Sequence, residues 1–483
     1  MDDKTREILD YFKHINSIPR CSKKEDSIST WLQSWAAKKQ LPVKKDEAGN
    51  LVFTLSASKG YEQAPGIVFQ GHMDMVCEKI PESQHDFTKD AIQLVYDGDW
   101  LRAQETTLGA DNGIAIAIGL ALAGDPSIDH PQIELLLTVD EESGLNGAKK
   151  LQSGFIEGKV LLNLDSETEG VFTVGCAGGR DTRISCDLSF SNLPDNFQPY
   201  QLKVHGLQGG HSGIDIVKQR ANANKILARA LYRLQSLADI RLLSFKGGTA
   251  HNAIPRDATA VFGCEPAAVK PVQKAVSEFE LAVKAEYEAA EKTLALSISQ
   301  ITSDNIDPPA LASGDAAKVI NMLLALPHGV AGMSANFKEL VETSNNLATV
   351  EIKNKSLDIL TSQRSSVMSR LDEIAASINA TASLAAATAQ TENEYPSWQP
   401  NMNSALLQRC KEIYQKLFDR EPEVEIIHAG LECAIIGATY PGVDMISFGP
   451  TIQDPHSPSE RLYIPSIRKV WDFLGALLAS YRP

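Results

Sequence analysis

The sequence predicts an α/β chain carrying an α+β insertion, and three observations lead to that expectation. Short apolar runs alternate with helical stretches from the start; alternating strands and long amphipathic helices take over in the middle; α/β character returns near the C-terminus. At 483 residues the chain exceeds what one hydrophobic core usually supports. The expected division is residues 1–180 with 391–483 as one α/β domain and residues 181–390 as a domain inserted into it.

Residues 5–15 read as a helix and 50–55 as an extended run, and a buried strand over 66–70 delivers His72 and Asp74 just past its end. Extended residues 93–102 precede a helix over 111–123, whose glycines and alanines allow close packing on a sheet. Residues 133–139 form a strongly apolar strand ending at Asp140-Glu141-Glu142, and 160–164 another ending at Asp165. After Gly178-Gly179, strands over 183–190 and 201–205 are followed by helices over 214–237 and 272–291. The insertion suggests an internal duplication. A helix leads to Gly247-Gly248-Thr249-Ala250-His251-Asn252 in its first half, helix 316–326 and strand 329–334 lead to Thr343-Ser344-Asn345-Asn346 in its second, and both place an Asn in a small polar turn before a strand. Residues 391–403, with Pro396, Trp398 and Pro400, read as a linker, after which extended runs at 424–427 and 445–448 complete the first domain.

With 46 basic and 61 acidic residues the formal charge is −15, which argues against nucleic acid or an anionic membrane as the partner. The opening Met1-Asp2-Asp3-Lys4 has no basic-then-apolar leader, and no later run is long enough to span a bilayer, so a soluble cytoplasmic protein is expected. Seven cysteines without a Cys-x-x-Cys pair are expected to be reduced, mostly buried thiols.

The acidic and histidine signatures follow buried strands or open a helix, so they would gather on one rim of a sheet. His72, Asp111, Glu142, Asp165 and His456 make an inventory for two divalent metal ions, zinc first for an imidazole and carboxylate set, with manganese or cobalt as alternatives. Asp111, short and at a helix start beside Gly113, suits a bridging carboxylate. Neighbouring Glu141 and Glu142, on an extended segment, would point different ways, one to metal and one, Glu141, to proton transfer. Asp74 is placed to hydrogen-bond the second nitrogen of His72. Alone, each signature is commonplace: His-x-Asp as a surface pair, Glu-Glu as solvated helix, Asp-Asn-Gly as a turn. Their conjunction at successive strand ends is what points to a metal site.

Gly71-His72-Met73-Asp74, Asp111-Asn112-Gly113, Glu141-Glu142-Ser143-Gly144 and the late His456 resemble the co-catalytic zinc exopeptidase family that includes aminoacylase, glutamate carboxypeptidase, tripeptidase and carnosinase. The resemblance covers nearly the whole chain. It implies a zinc-exopeptidase-like mixed-sheet catalytic domain with an inserted lid, and hydrolysis of dipeptides, of Xaa-His (carnosine) type, by a metal-bridging water with Glu141 as general base. His72 with Asp165 would complete one metal site and Glu142 with His456 the other, Asp111 bridging, with a cis peptide after it. The resemblance further implies that His211, in Gly209-Gly210-His211-Ser212-Gly213, is the lid histidine that steadies the oxyanion, and that Asn252 touches the substrate backbone. Arg364 is the candidate for the substrate carboxylate and Glu432, in Gly430-Leu431-Glu432, for its ammonium; a surface salt bridge and a helix cap are the structural alternatives.

Simple members of the family dimerise through a single small lid so that its histidine serves a neighbour's site. An insertion over 181–390 is about twice that size by domain arithmetic, so a pseudo-dimeric lid is expected and His211 is expected to act within its own chain, in a monomer or a homodimer. The alternatives are an N-acyl amino acid deacylase or carboxypeptidase on the same fold, or a non-catalytic metal-binding scaffold. A phosphate binder is disfavoured because none of the glycine pairs has P-loop or dinucleotide spacing.

Overall fold

Ile67–His72, Ile133–Thr138 and Val160–Asn163 lie side by side as parallel strands, buried at every position, which is why apolar residues dominate each, with Gln70, His72, Glu134, Thr138 and Asn163 as the polar exceptions. They belong to a computed structural model that describes residues 1–301, 309–335, 337 and 339–482. The chain divides into two compact units: Met1–Cys176 with Trp398–Ile426 and Leu431–Pro483, and Ala177–Ser397 with Ile427–Gly430.

The first unit is built on an eight-stranded mixed sheet, in the order Val43–Lys45, Leu51–Leu55, Ile133–Thr138, Ile67–His72, Val160–Asn163, Asp444–Ser447, Val171–Cys176 and Glu423–Ile427. Asp444–Ser447 pairs in parallel with Val160–Asn163, so the C-terminal segment completes the N-terminal sheet. Helix Ala110–Gly124 packs on it closely enough that a methyl group at Gly119 would meet Leu135 at 2.8 Å and the Phe69 ring at 3.3 Å. A separate four-stranded sheet joins Ile452–Gln453 and Arg461–Tyr463 to Trp100–Ala103 and Leu94–Asp97. The expected single extended run over 93–102 is therefore a hairpin, turning at Gly98 in the left-handed region (φ +59).

Two of the cysteines expected to be reduced are not: Cys21 and Cys77 form a disulfide, while the other five are buried and lie outside that bond. Cys21 lies in a bridge with Met75, and Arg20 donates to the carbonyls of Met73 and Asp74. Tertiary pairing of these segments brings together two cysteines separated by 56 residues, which spacing in the sequence does not disclose.

The second unit is a nine-stranded antiparallel sheet. Its two halves repeat one pattern. In the first, strand Gln198–His205 leads to helix Ala223–Gln235, inner strand Arg241–Gly247, strand Ala258–Cys264, helix Val269–Glu286 and edge strand Ala295–Gln300. In the second, Gly178–Asp187, Ser313–Ala325, Val341–Lys353, Ser356–Ser365, Met368–Leu384 and Thr388–Tyr395 occupy the same places. The inner strands join antiparallel, Lys246 opposite Glu351 and Gly247 opposite Val350. Phe245, Phe262, Leu227, Leu231, Val319, Leu323, Ile359 and Ile378 fill one core beneath both halves.

Two local expectations for this unit need correction. The helix expected over 214–237 is a short 3-10 turn at Ile216–Lys218 followed by Ala223–Gln235, capped by the Asn222 side chain on the Lys225 amide. The linker expected over 391–403 begins as strand: Thr388–Tyr395 closes the sheet edge, polar because an edge strand faces water. Among the described residues, no helix is long and apolar enough to cross a membrane.

Candidate metal centre

Three strand ends, one helix start and one hairpin carry the acidic and imidazole groups of the first unit. His72 ends Ile67–His72, Glu141 and Glu142 follow Ile133–Thr138, and Asp165 follows Val160–Asn163. Asp111 sits at the start of Ala110–Gly124, where it and Asn112 have non-helical backbone angles and the bond between them is cis. His456 lies in the left-handed region (φ +58), in the turn between Ile452–Gln453 and Arg461–Tyr463.

Asp111 faces both imidazoles: its Oδ1 is 3.1 Å from His72 Nε2 and its Oδ2 is 3.0 Å from His456 Nε2. His72 Nε2 is also 3.3 Å from Asp165 Oδ1, and His456 Nε2 is 3.1 Å from Glu142 Oε2. The five expected ligands therefore meet as two triads sharing Asp111, and within each triad the atoms lie within 4.8 Å of one another. Ligands on a tetrahedral zinc at about 2.0–2.2 Å stand roughly 3.3–3.6 Å apart, close to these separations. A third group, of His72, Glu141 and Glu142, brings a Glu141 oxygen within 4.8 Å of ligand atoms of both neighbours.

Glu142 Oε1 and Asp165 Oδ1 are buried with no hydrogen-bond donor, the latter near His72 but not in bonding geometry. A buried acceptor left unsatisfied costs about 1–3 kcal/mol, and a divalent cation satisfies it. The donor set therefore fits metal.

Electrostatics point the same way. Burial, then the Asp111 carboxylate, pushes Glu142 up to about 7 and Glu167 up to about 8; burial, with Asp165, Glu142 and Glu432 nearby, holds Glu141 well above the usual range. Burial alone would raise Asp111 too, but hydrogen bonds from His456 and His72 pull it below the usual carboxylate range. Burial opposes protonation of His456, yet Asp111 and Glu142 raise it to about 11. So many carboxylates in one desolvated place call for positive charge.

Asp74 holds more than one partner. Its Oδ1 stands 3.3 Å from His72 Nδ1, and its carboxylate accepts from the amides of Glu141 and Glu142 at 3.1 and 3.2 Å and from the Ser22 hydroxyl at 2.8 Å. Glu141 and Glu142 are not extended, contrary to expectation. Asp140 is left-handed (φ +51), and the amides of Gly144 and Leu145 both donate to the Glu141 carbonyl, so the pair lies in a tight turn. Glu432 is fully buried in the same unit: its Oε2 accepts from Gln70 Nε2 at 2.5 Å and Thr138 Oγ1 at 2.6 Å, its Oε1 has no donor, and burial pushes it up to about 8.

Two further residues shape the backbone that carries Asp111. Glu460 accepts four backbone amides from 108–111; its place four residues after His456 is the signal that could have found it. Buried Arg20, which donates to the Gly109 carbonyl, carries no sequence signal.

In the second unit, Gly210–His211 pairs with Ala253–Ile254. His211 Nδ1 accepts from the Gly213 and Ile214 amides, so its ring proton is on Nε2. Arg364 is buried, donates to the Tyr395 hydroxyl at 2.9 Å and leaves its Nε unpartnered. A methyl group at Gly213 would meet the His428 carbonyl, the His211 ring and Arg364 Nε, so these three groups lie together, His428 being unexpected. Asn252 is exposed, its carbonyl accepting from the Ser212 amide.

A family model described as the M20 peptidase dimerisation domain matches residues 202–291. The chain is 39% identical to cytosol non-specific dipeptidase of Escherichia coli strain K12, over 98% of this chain and 96% of that protein. It superposes on the crystal structure of aminoacylhistidine dipeptidase from Vibrio alginolyticus with a TM-score of 0.86 at 37% identity, covering 98% of this chain and 96% of that one. Aminopeptidase PepT from Bacillus cereus shares the fold, with a TM-score of 0.57 at 17% identity and coverage of 99% of each chain. The chain belongs to the M20 peptidase family. The Escherichia coli and Vibrio alginolyticus relatives, each matched over nearly the full length at more than 30% identity, are dipeptidases by name.

Proposed function

We infer that this protein is a metal-dependent dipeptidase in which His72, Asp111 and Asp165 hold one divalent cation and Asp111, Glu142 and His456 a second. The observation carrying this reading is the division of the Asp111 oxygens, one facing each imidazole. Zinc is the first choice for such ligands, with manganese and cobalt as alternatives. Bound there, two cations supply Lewis acidity and an acidified water.

The chain's own groups do the rest. Glu141, untethered to a strand and beside His72, takes a proton from the attacking water and returns it to the departing amine. Asp74 orients His72 and the turn that bears Glu141. In the second unit, His211 carries its proton on Nε2 and is assigned to the carbonyl oxygen as charge develops there. Arg364, with its unpartnered Nε, is assigned to the substrate carboxylate, Asn252 to its backbone, and Glu432, whose Oε1 lacks a donor, to its ammonium.

The names of the relatives support dipeptides as substrates, Xaa-His among them, and the relative named for the cytosol supports a cytoplasmic location. The duplicated second unit supports a lid that is pseudo-dimeric within one chain, whether the protein is a monomer or a homodimer. Metal analysis combined with assays on β-alanyl-histidine, other Xaa-His dipeptides and N-acyl amino acids tests the reading. Two ions per chain and dipeptide cleavage are expected; cleavage of N-acyl amino acids alone would replace the dipeptidase with a deacylase.

A further inference from the structure

Glu460 is 2% exposed, and its carboxylate is met by backbone amides. Its Oε2 accepts from the amides of Leu108 and Gly109 at 2.7 and 2.9 Å, and its Oε1 from those of Ala110 and Asp111 at 2.8 and 3.2 Å. Four successive amides, at a bend where Gly109 is left-handed (φ +68), thus converge on one side chain. The carbonyl side of that bend is held by Arg20: its Nη2 donates to the Gly109 carbonyl at 2.5 Å, while its Nη1 donates to the carbonyls of Met73 and Asp74 at 3.2 and 2.8 Å. Glycine on both sides of Asp111 leaves room for the guanidinium, because a methyl group at Gly109 or Gly113 would stand 2.5 or 2.6 Å from Arg20 Nη2 and displace one of them.

Glu460 follows His456 by four residues in the Ile452–Tyr463 hairpin region, and Arg20 grips the segment just past His72. We propose that Glu460 and Arg20 are positioning residues for the dinuclear site: together they lock residues 108–111 so that the Asp111 carboxylate presents one oxygen to His72 and the other to His456 before any ion arrives. The proposal rests on the metal reading above. Neither residue touches the Asp111 oxygens; both act through the backbone that carries them. A bridging carboxylate has to satisfy two ions at once, so freedom in its backbone is lost affinity for both. Partners that orient ligands in this way typically contribute about 10–100-fold in metal affinity.

Structural stiffening alone would also follow from any buried carboxylate that ties up backbone amides, and the first unit contains one for comparison. Glu134, equally buried, accepts from the amides of Glu157 and Gly158 at 2.8 Å each, on a part of the sheet that carries no ligand. The test titrates metal-free protein with zinc against a competing chelator for wild type, Glu460→Gln and Glu134→Gln, with melting temperatures for all three and visible absorption of the cobalt-loaded forms. Expected results are two ions on wild type; on Glu460→Gln, a weaker ion loosened by about 10–100-fold and an altered cobalt spectrum; and on Glu134→Gln, a lowered melting temperature with wild-type affinities. Should Glu460→Gln fail to fold, Glu460→Asp, which keeps the charge but falls short of four amides, carries the comparison. Wild-type affinities and spectrum in the Glu460 variant, or equal weakening in both variants, would overturn the proposal. Fewer than two ions on wild type would overturn the metal reading first.

Discussion

Glu141 and Glu142 are adjacent, alike and half-buried in one acidic cluster, yet separate tasks are proposed for them, because the turn that follows Thr138 brings Glu142 to His456. Their separation predicts a dissociation of phenotypes. Glu141→Ala is expected to lose about 100- to 10,000-fold in turnover, as removal of a positioned general base does, while retaining both ions; His456→Ala is expected to lose metal as well. Metal content and turnover measured on the same preparations decide the matter, and a metal-replete Glu141→Ala chain that still turns over would end the assignment. At this scale the sequence was informative wherever a residue's role shows in its type. A histidine, an aspartate at a helix start and a glutamate pair together point to ligand chemistry when they follow successive buried strands, whereas Arg20 and Glu460 act through backbone groups that every sequence possesses.

Among the elements, helix Ala110–Gly124 depends on absent side chains. Gly119 lets it approach Leu135 and Phe69, and Gly113 makes room for the Arg20 guanidinium and the Phe12 ring. Gly113→Ala would place a methyl group 2.6 Å from Arg20 Nη2 and 3.1 Å from Phe12, so overpacking should cost about 1–3 kcal/mol, read as a lowered melting temperature of the metal-free protein. A melting temperature equal to wild type would show that Arg20 yields freely. The parallel strands were legible because burial on both faces makes them mostly apolar, with Ile67, Val68 and Phe69 in succession in one and Leu135, Leu136 and Leu137 in another. The edge strand Thr388–Tyr395 was not, since its polar, half-exposed residues read as linker until a neighbouring strand pairs with them. The hairpin of Leu94–Asp97 and Trp100–Ala103 is likewise hidden in the sequence, because a single Asp97-Gly98 step is the whole signal of its turn.

For the whole molecule, the repeated order of strands and helices in the second unit puts two lid-like halves in one chain, joined between Arg241–Gly247 and Val341–Lys353. From that duplication His211 is expected to serve its own chain. Mixing a His211→Ala chain with a Glu141→Ala chain should give no more activity than the two separately, whereas recovery on mixing would show lids working between chains. The sequence by itself determined which side chains could hold metal, that they follow buried strands, and that a middle segment of different periodicity interrupts the α/β pattern, because each of these is a property of local composition and spacing. Only the tertiary structure decided that Asp111 divides its oxygens between His72 and His456, that Glu460 and Arg20 clamp the backbone between them, and that Cys21 bonds to Cys77. Those facts depend on segments distant along the chain meeting at hydrogen-bond or covalent distance, and no local pattern encodes such a meeting.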